Sequence, residues 1–323
     1  MKGISKKLLM LLMFSAVFAL AACGDSEEVR LTFATGTVAG TYYPLGGAMA
    51  SVINSHTDGI NVTITSSGAS ADNINQIGVG DAQVAIVQND VMYYAFTQTS
   101  IWGDRAPVRN MGTLMSLYPE TVQIIVHADG GIYSVADLVG MRVSTGAPGS
   151  GVTANAEQVF AAYGFTPDDV NQFHLNFNDS AAALQDFNLD AFFVTAATPN
   201  TAVYELSRNR DLRIIPISAA AASRLMAEYA FYVPITITSA DYAFVTTPIE
   251  TVAVQATLIA SLDEVSDDVA YEIVRALIEN ADEVAEGHAR GAYINMHNAV
   301  QSVSVDFHPG ARRFFEERGV VLD

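Results

Sequence analysis

Leu31-Thr32-Phe33-Ala34-Thr35-Gly36-Thr37-Val38-Ala39-Gly40-Thr41-Tyr42-Tyr43-Pro44-Leu45-Gly46-Gly47 is the stretch that decides the fold. Leu31 and Phe33 fall on one face and Arg30 and Thr32 on the other, the alternation of a short strand. Gly36 and Gly40 interrupt it, because glycine reaches backbone angles closed to other residues. Pro44 suits the first turn of a helix. Leu45, Ala48, Met49, Val52 and Ile53 then recur at helical spacing, giving one buried stripe. The segment therefore reads strand, glycine loop, helix. A helix N-terminus carries unpaired N–H groups and roughly half a positive charge. With glycines beside it and hydroxyls from Thr35, Thr37, Thr41, Tyr42 and Tyr43, it can cradle an anionic group without a basic side chain. The competing reading is a tight strand-to-helix turn whose glycines serve geometry alone. Of Tyr42 and Tyr43, one is expected to face a ligand and the other to begin the core stripe.

Downstream, Ile60, Val62 and Ile64 alternate as a second strand, and Ser66-Ser67-Gly68-Ala69-Ser70 is a turn in which Ser70 can cap the next helix, with Asn73 three residues on. Ile74, Ile77 and Val79 give that helix a short apolar face. Gln83 to Val87 is almost wholly apolar, as a buried parallel strand is, and it ends in Gln88-Asn89-Asp90. The order βαβαβ calls for a parallel sheet with helices on its faces. Ligands in such sheets bind beyond the carboxyl ends of the strands, where these three loops converge. Thr121 to Val126 reads as a strand crossing into a second domain. The pattern then recurs. Met141 to Ser144 is a strand, Thr145-Gly146-Ala147-Pro148-Gly149-Ser150-Gly151-Val152-Thr153 a second glycine loop, and Val152, Ala156, Val159, Phe160 and Tyr163 the stripe of a helix. Phe173 to Phe177 is expected as a strand, Ser180 to Phe187 as a helix and Ala191 to Val194 as a strand ending in Thr195-Ala196-Ala197-Thr198-Pro199. Ser218 to Tyr232 reads as a helix and Phe231 to Thr238 as the route back. Thr251 to Ile259 is a strand, and helices start near Asp267 and Pro309.

The chain's 323 residues carry 16 basic and 35 acidic side chains, a formal charge of -19. Lys2, Lys6 and Lys7 are its only lysines, and all stand before Leu8 to Leu20, an apolar run too short to span a membrane comfortably. Ala21, Ala22 and Cys23 follow. Leu20-Ala21-Ala22-Cys23 has the form of a bacterial lipobox, so residues 1–22 are expected as a lipoprotein signal peptide, Cys23 as the lipidated first mature residue and 23–28 as a tether. The alternative is an ordinary secretory signal with an incidental cysteine. Removal of the segment takes the charge to -19 - 3 = -22. Such a chain repels nucleic acid, and without lysine it forms neither a P-loop contact nor a Schiff base. Cys23 is the only cysteine, so the mature protein has no disulfide, thiolate metal site or cysteine nucleophile.

These residues resemble the solute-binding receptors of TRAP transporters, in the TAXI branch. The resemblance runs from about Val29 to Gly319. It rests on Gly36-x-x-x-Gly40-Thr41-Tyr42-Tyr43-Pro44-Leu45-Gly46, Ser67-Gly68-Ala69-Ser70-x-x-Asn73 and Gly146-Ala147-Pro148-Gly149-Ser150-Gly151, with weaker support from Asp190-Ala191-Phe192-Phe193 and from His308-Pro309-Gly310-Ala311 with Glu317-x-Gly319. It implies an α/β, two-lobed periplasmic-binding-protein fold of type II, the venus flytrap, each lobe a βαβαβ-based sheet flanked by helices. Lobe I would comprise residues 29–121 and 235–323, and lobe II residues 122–234. The resemblance also implies an extracytoplasmic receptor, lipid-anchored at Cys23. Such a receptor holds a small organic acid, a glutamate-like amino acid or a dicarboxylate or 2-oxo acid, and hands it to a TRAP membrane permease. Carried over residue by residue, the ligand-binding positions are Gly36, Thr37, Gly40, Thr41, Tyr42, Tyr43, Ser67, Ser70, Asn89 and Asp90 from the first lobe. From the second they are Gly149, Ser150, Gly151, Thr153, Thr195 and Pro199. Thr195-Ala196-Ala197-Thr198 departs from the glycine-containing version of that segment.

Asp90 would repel an acid unless the ligand also carries an ammonium group; the alternative is that Asp90 caps the following helix. Arg105 and Arg109 offer a bidentate carboxylate clamp if they reach the cleft, and are otherwise solvated. His308 reads as a structural turn, since no other histidine stands at ligand spacing, and neither a metal nor a cofactor is expected. No Gly-x-Ser-x-Gly elbow, Gly-x-Gly-x-x-Gly loop or Gly-Lys ending occurs, which argues against an enzyme. Two alternatives share the fold: an ABC-type substrate-binding lipoprotein, and a ligand-sensing module without transport.

Overall fold

A computed structural model describes residues 28–322. The expected signal segment 1–22, Cys23 and the tether up to residue 27 lie outside the described residues. Strand β1 (Val29–Ala34) runs into the first glycine loop and helix α1 (Tyr42–His56), which buries Leu45, Met49, Val52 and Ile53. Strand β2 (Ile60–Thr65), helix α2 (Ser70–Val79) and strand β3 (Val84–Gln88) complete the first unit. β1 pairs in parallel with both β2 and β3. Helix α3 (Asn89–Thr97) follows β3 without a loop. Asn89 and Asp90 therefore open a helix and do not form a loose strand end. Ser70 is likewise the first residue of α2, not its cap; its Oγ accepts a hydrogen bond from the Gln88 N–H at 3.1 Å.

Strand β4 (Met111–His127) is 17 residues long and almost entirely buried. The second unit follows: β5 (Arg142–Ser144), α4 (Val152–Tyr163), β6 (Asn171–Phe173), α5 (Phe177–Gln185) and β7 (Ala191–Ala196). The expected strand from Phe173 to Phe177 ends at Phe173, and Phe177 opens α5 behind the capping side chain of Asn176. Helix α6 (Thr201–Ser207), strand β8 (Leu212–Ile214), helix α7 (Ala219–Glu228) and strand β9 (Val233–Ile237) lead to β10 (Ile249–Ser261). Helices α8 (Asp267–Glu279), α9 (Ala281–Gly287) and α10 (Pro309–Glu317) then pack on the first unit. No helix among the described residues is long and apolar enough to cross a membrane.

The strands form one sheet in the order β2-β1-β3-β10-β4-β7-β5-β6, with β8 on β4 and β9 on β10. Two antiparallel strands, β4 and β10, are common to both halves. Leu114, Met115 and Tyr118 of β4 belong to a core with Phe33, Leu45 and Leu258. Val122, Ile124 and Val126 belong to a second core with Val143, Phe160 and Phe193. β4 thus passes between the lobes after Tyr118. β10 makes the return passage between Val254, in the second core, and Ala256, in the first. Residues 235–254 correspondingly pack with the second lobe: Ile237, Tyr242 and Val245 lie against Phe192 and Val194. The expected boundary at 235 moves to about 254, because β9 folds back on the second-lobe half of β10 before the chain crosses.

Candidate functional site

The carboxyl ends of β1 and β3 and the glycine loops of both lobes line a cavity in the cleft. Gly36, Thr37, Gly40, Thr41 and Tyr42 line it from the first loop, and Gly68, Ala69 and Ser70 from the second. Gln88 and Glu120, each 2 % exposed, complete the first-lobe lining and are taken as its floor. Across the cleft stand Ala147, Ser150, Gly151, Val152, Asn176, Phe177, Thr195 and Ala196. The first turns of α1 and α4 thus open on one cavity from opposite lobes, where helix N–H groups favour an anion. The α4 loop is shaped by Gly146, whose φ of 98° lies in the left-handed region; a Cβ there would come within 2.6 Å of Val152 Cβ.

The lobes touch beside the cavity. Gly149 O accepts from the Ala71 and Asp72 N–H groups at 2.9 and 3.2 Å, so the first turn of α2 is capped by a carbonyl of the other lobe. Behind it runs a buried polar chain. Gln88 Nε2 donates to Asn155 Oδ1 at 3.2 Å, and Asn155 Nδ2 donates to Asp90 Oδ2 at 2.9 Å. Gln158 Nε2 donates to the Tyr94 hydroxyl at 2.8 Å, and Gln158 Oε1 accepts from the Tyr232 hydroxyl at 2.6 Å. Burial pushes the Asp90 carboxyl up to about 6, partly offset by the Val91 N–H and Asn155 that it accepts from.

Glu120 is the acid of the cavity itself. It sits on β4 where that strand passes between lobes, 2 % exposed, and the Tyr42 hydroxyl donates to its Oε2 at 2.7 Å. Burial holds its carboxyl well above the usual carboxylate range; the Tyr42 hydrogen bond lowers it and the nearby Asp90 raises it. Desolvation likewise pushes the Tyr42 and Tyr118 hydroxyls up. Two further polar atoms of the lining, Gln88 Oε1 and Thr195 Oγ1, are buried with no hydrogen-bond partner among the described residues.

Of the expected positions, the structure brings Gly36, Thr37, Gly40, Thr41, Tyr42, Ser70, Ser150, Gly151 and Thr195 to the cavity. It places the others elsewhere. Tyr43 is half-buried and outside the lining. Ser67 braces its own turn, lying 3.1 Å from Thr35 O and accepting from the Ala69 N–H. Asn89 ties α3 to the 302–304 segment and to β10, donating to Ser302 O and accepting from the Gln255 N–H. Asp90 accepts from the Val91 N–H and lies in the interlobe chain behind the floor. Gly149 and Thr153 face an outer groove with Arg105 and His174. Pro199 is exposed after a cis bond to Thr198, whose hydroxyl donates to Asp241. The arginine clamp is not built: Arg105 lies over the Trp102 ring, and Arg109 Nε donates to Phe96 O. His308 is buried, with Nε2 3.0 Å from Val265 O and Nδ1 accepting from the Gly310 N–H.

Sequence reasoning missed Gln88, Glu120, Asn176 and Phe177. Glu120 carried a signal, as the only acid in the apolar run of β4, since an acid is almost never fully buried unless paired.

Solved structures share the architecture. The alkanesulfonate-binding protein SsuA from Xanthomonas axonopodis pv. citri bound to MOPS superposes with a TM-score of 0.55 at 12 % identity, over 90 % of this chain and 84 % of that one. The periplasmic aliphatic sulphonate binding protein SsuA from Escherichia coli gives 0.52 at 12 %, over 89 % and 83 %. A putative L-cystine ABC transporter from Listeria monocytogenes gives 0.51 at 13 %, over 84 % and 98 %. The fold is that of the type II periplasmic-binding proteins: two α/β lobes on two shared strands, with a cavity in the cleft. Residues 33–319 match the NMT1-like family, and the chain belongs to it.

Proposed function

We propose that this chain is an extracytoplasmic solute receptor of a transporter, not an enzyme, and that it captures a small organic acid in the interlobe cavity. The observation that carries this reading is the cavity itself, lined from both lobes and faced by the N-termini of α1 and α4. Ser150 Oγ donates to Ala147 O at 2.8 Å, which suits a binding loop better than a nucleophile. The contacting positions are inferred to be Gly36, Thr37, Gly40, Thr41, Tyr42, Ser70, Ser150, Gly151 and Thr195, with lipidation at Cys23 holding the receptor at the outer face of a membrane.

For the membrane partner, the fold neighbours favour an ABC permease, since one of them is named for an ABC system. The three glycine-loop motifs shared with TAXI receptors favour a second reading, an ion-gradient TRAP permease. An ATPase gene beside this one supports the first and a multi-span permease gene alone the second.

The binding test is a thermal-shift screen of the mature chain, with Cys23 removed, against amino acids, 2-oxo acids, dicarboxylates and sugars. A ligand at 100 times its dissociation constant stabilises by about 2.7 kcal/mol, a shift of several degrees. Shifts with organic acids support the reading. Shifts with sugars alone would sink the anion cradle.

A further inference from the structure

We propose that Glu120 selects the ligand. It receives a protonated amine at the floor of the cavity and gives up its own proton as it does so, so that the receptor prefers amine-bearing acids to their deaminated counterparts. This rests on the receptor reading above.

The two sides of the cavity differ in hydrogen-bonding character. Toward the glycine loops the first turns of α1 and α4 offer N–H donors, which suit the anionic end of a ligand. The floor is rich in acceptors. Glu120 has Tyr42 as its hydrogen-bond partner, on Oε2. Gln88 Oε1 is buried without a donor, its amide orientation fixed by the bond from Nε2 to Asn155. Facing it across the cleft, the Thr195 hydroxyl is buried and likewise without a partner among the described residues. A buried acceptor left without a donor is costly, and an ammonium group brings three donors. Among the described residues no arginine lines the cavity, and no lysine occurs after Lys7, so a cation to pair with Glu120 would come from the ligand.

The titratable and charged groups around Glu120 are Tyr42 of α1, Tyr118 of its own strand and Asp90 of α3, with Arg290 acting on Tyr118. Burial and Asp90 both favour the protonated carboxyl. An ammonium brought within contact favours the carboxylate. The exchange balances simply: the amine binds already protonated, the Glu120 O–H bond breaks, and one proton passes to solvent.

The test measures binding of matched pairs to the mature chain by calorimetry, in two buffers of different ionisation enthalpy at pH 6.5. The pairs are alanine and propionate, aspartate and succinate, and glutamate and glutarate. For whichever skeleton binds, the amine-bearing member should bind about 10- to 100-fold more tightly, the range expected for a charged hydrogen bond, and should release a proton. Glu120→Gln should bring the pair within about threefold and abolish the release. Should that variant fail to fold, Tyr42→Phe removes a bond that lowers the Glu120 pKa, and the pH range of proton release should move upward. Equal or tighter binding of the deaminated member, or full preference retained in Glu120→Gln, would overturn the proposal and leave the receptor reading standing. If no pair shifts the melt and mass spectrometry of the denatured protein finds no retained small molecule, the receptor reading falls as well.

Discussion

A methyl group added at Gly151 would land on the amide oxygen of Gln88 and within 2.8 Å of Val91 Cγ2. Gly151 belongs to the second lobe, and Gln88 and Val91 to the first, so the clash arises only where the lobes meet. Gly151→Ala should therefore weaken ligand binding at least tenfold, about 1.4 kcal/mol or more, while shifting the melting temperature by only a few degrees. Calorimetry beside a thermal melt checks both. A comparable loss of stability instead would mean that the glycine serves the fold of its own loop. At this scale the sequence showed that glycines open both helices, and nine of its site residues do line the cavity. It did not show which polar side chains turn inward. Ser67 and Asn89 carry the same chemistry as Ser70 and Gln88, and only their partners across the fold set their direction. Glu120, of which the sequence reading expected nothing, takes the place at the cavity expected of Asp90 for the same reason: an acid at a strand end is legible, but which acid reaches the cavity is set by contacts across the fold.

Among the elements, α2 owes its place to one side chain. Asn73 is fully buried and its Nδ2 donates to Thr35 O at 2.6 Å and Ile86 O at 2.7 Å, binding the ends of β1 and β3 together beneath the cavity. Asn73→Ala leaves two carbonyls without that donor and should destabilise by about 2–3 kcal/mol, read as a lower denaturant midpoint with an unchanged slope. The Ser67–Asn73 motif is thus largely scaffold. Most elements were legible because their patterns are local: the stripe of α1, the apolar β3 and the start of α8 near Asp267 all show in a few residues. β6 and α5 were not, since Phe173 and Phe177 are both apolar and four apart, and only Asn176, which caps α5, decides where the strand stops. The common strand β10 was visible as a strand, but nothing in Thr251 to Ile259 marks the point where it changes lobes.

For the whole molecule the buried acids set a pH dependence. Asp90 has an ordinary pKa of 3.8 and is pushed up to about 6 in the folded chain. Between those values the folded form holds the proton more tightly, so stability falls as pH rises through that window, by up to about 3 kcal/mol. It is regained on acidification toward 4. Loss of the net negative charge acts in the same direction, so the comparison needs a control: Asp90→Asn should flatten the difference between denaturant titrations at pH 4.5 and 7, from a lower starting stability because one acceptor is lost. An unchanged pH slope in that variant would assign the effect to Glu120 and the surface charge. The two-lobed plan itself was legible from two repeats of strand, glycine loop and helix. The order of the strands has one more consequence, for the history of each molecule as it is made. β10 lies between β3 and β4, yet it is complete only at residue 261 of 323, roughly four-fifths of the way along the chain. Until it emerges, β3 and β4 each present an unzipped edge, and the oldest lobe cannot finish folding before the younger one has been synthesised.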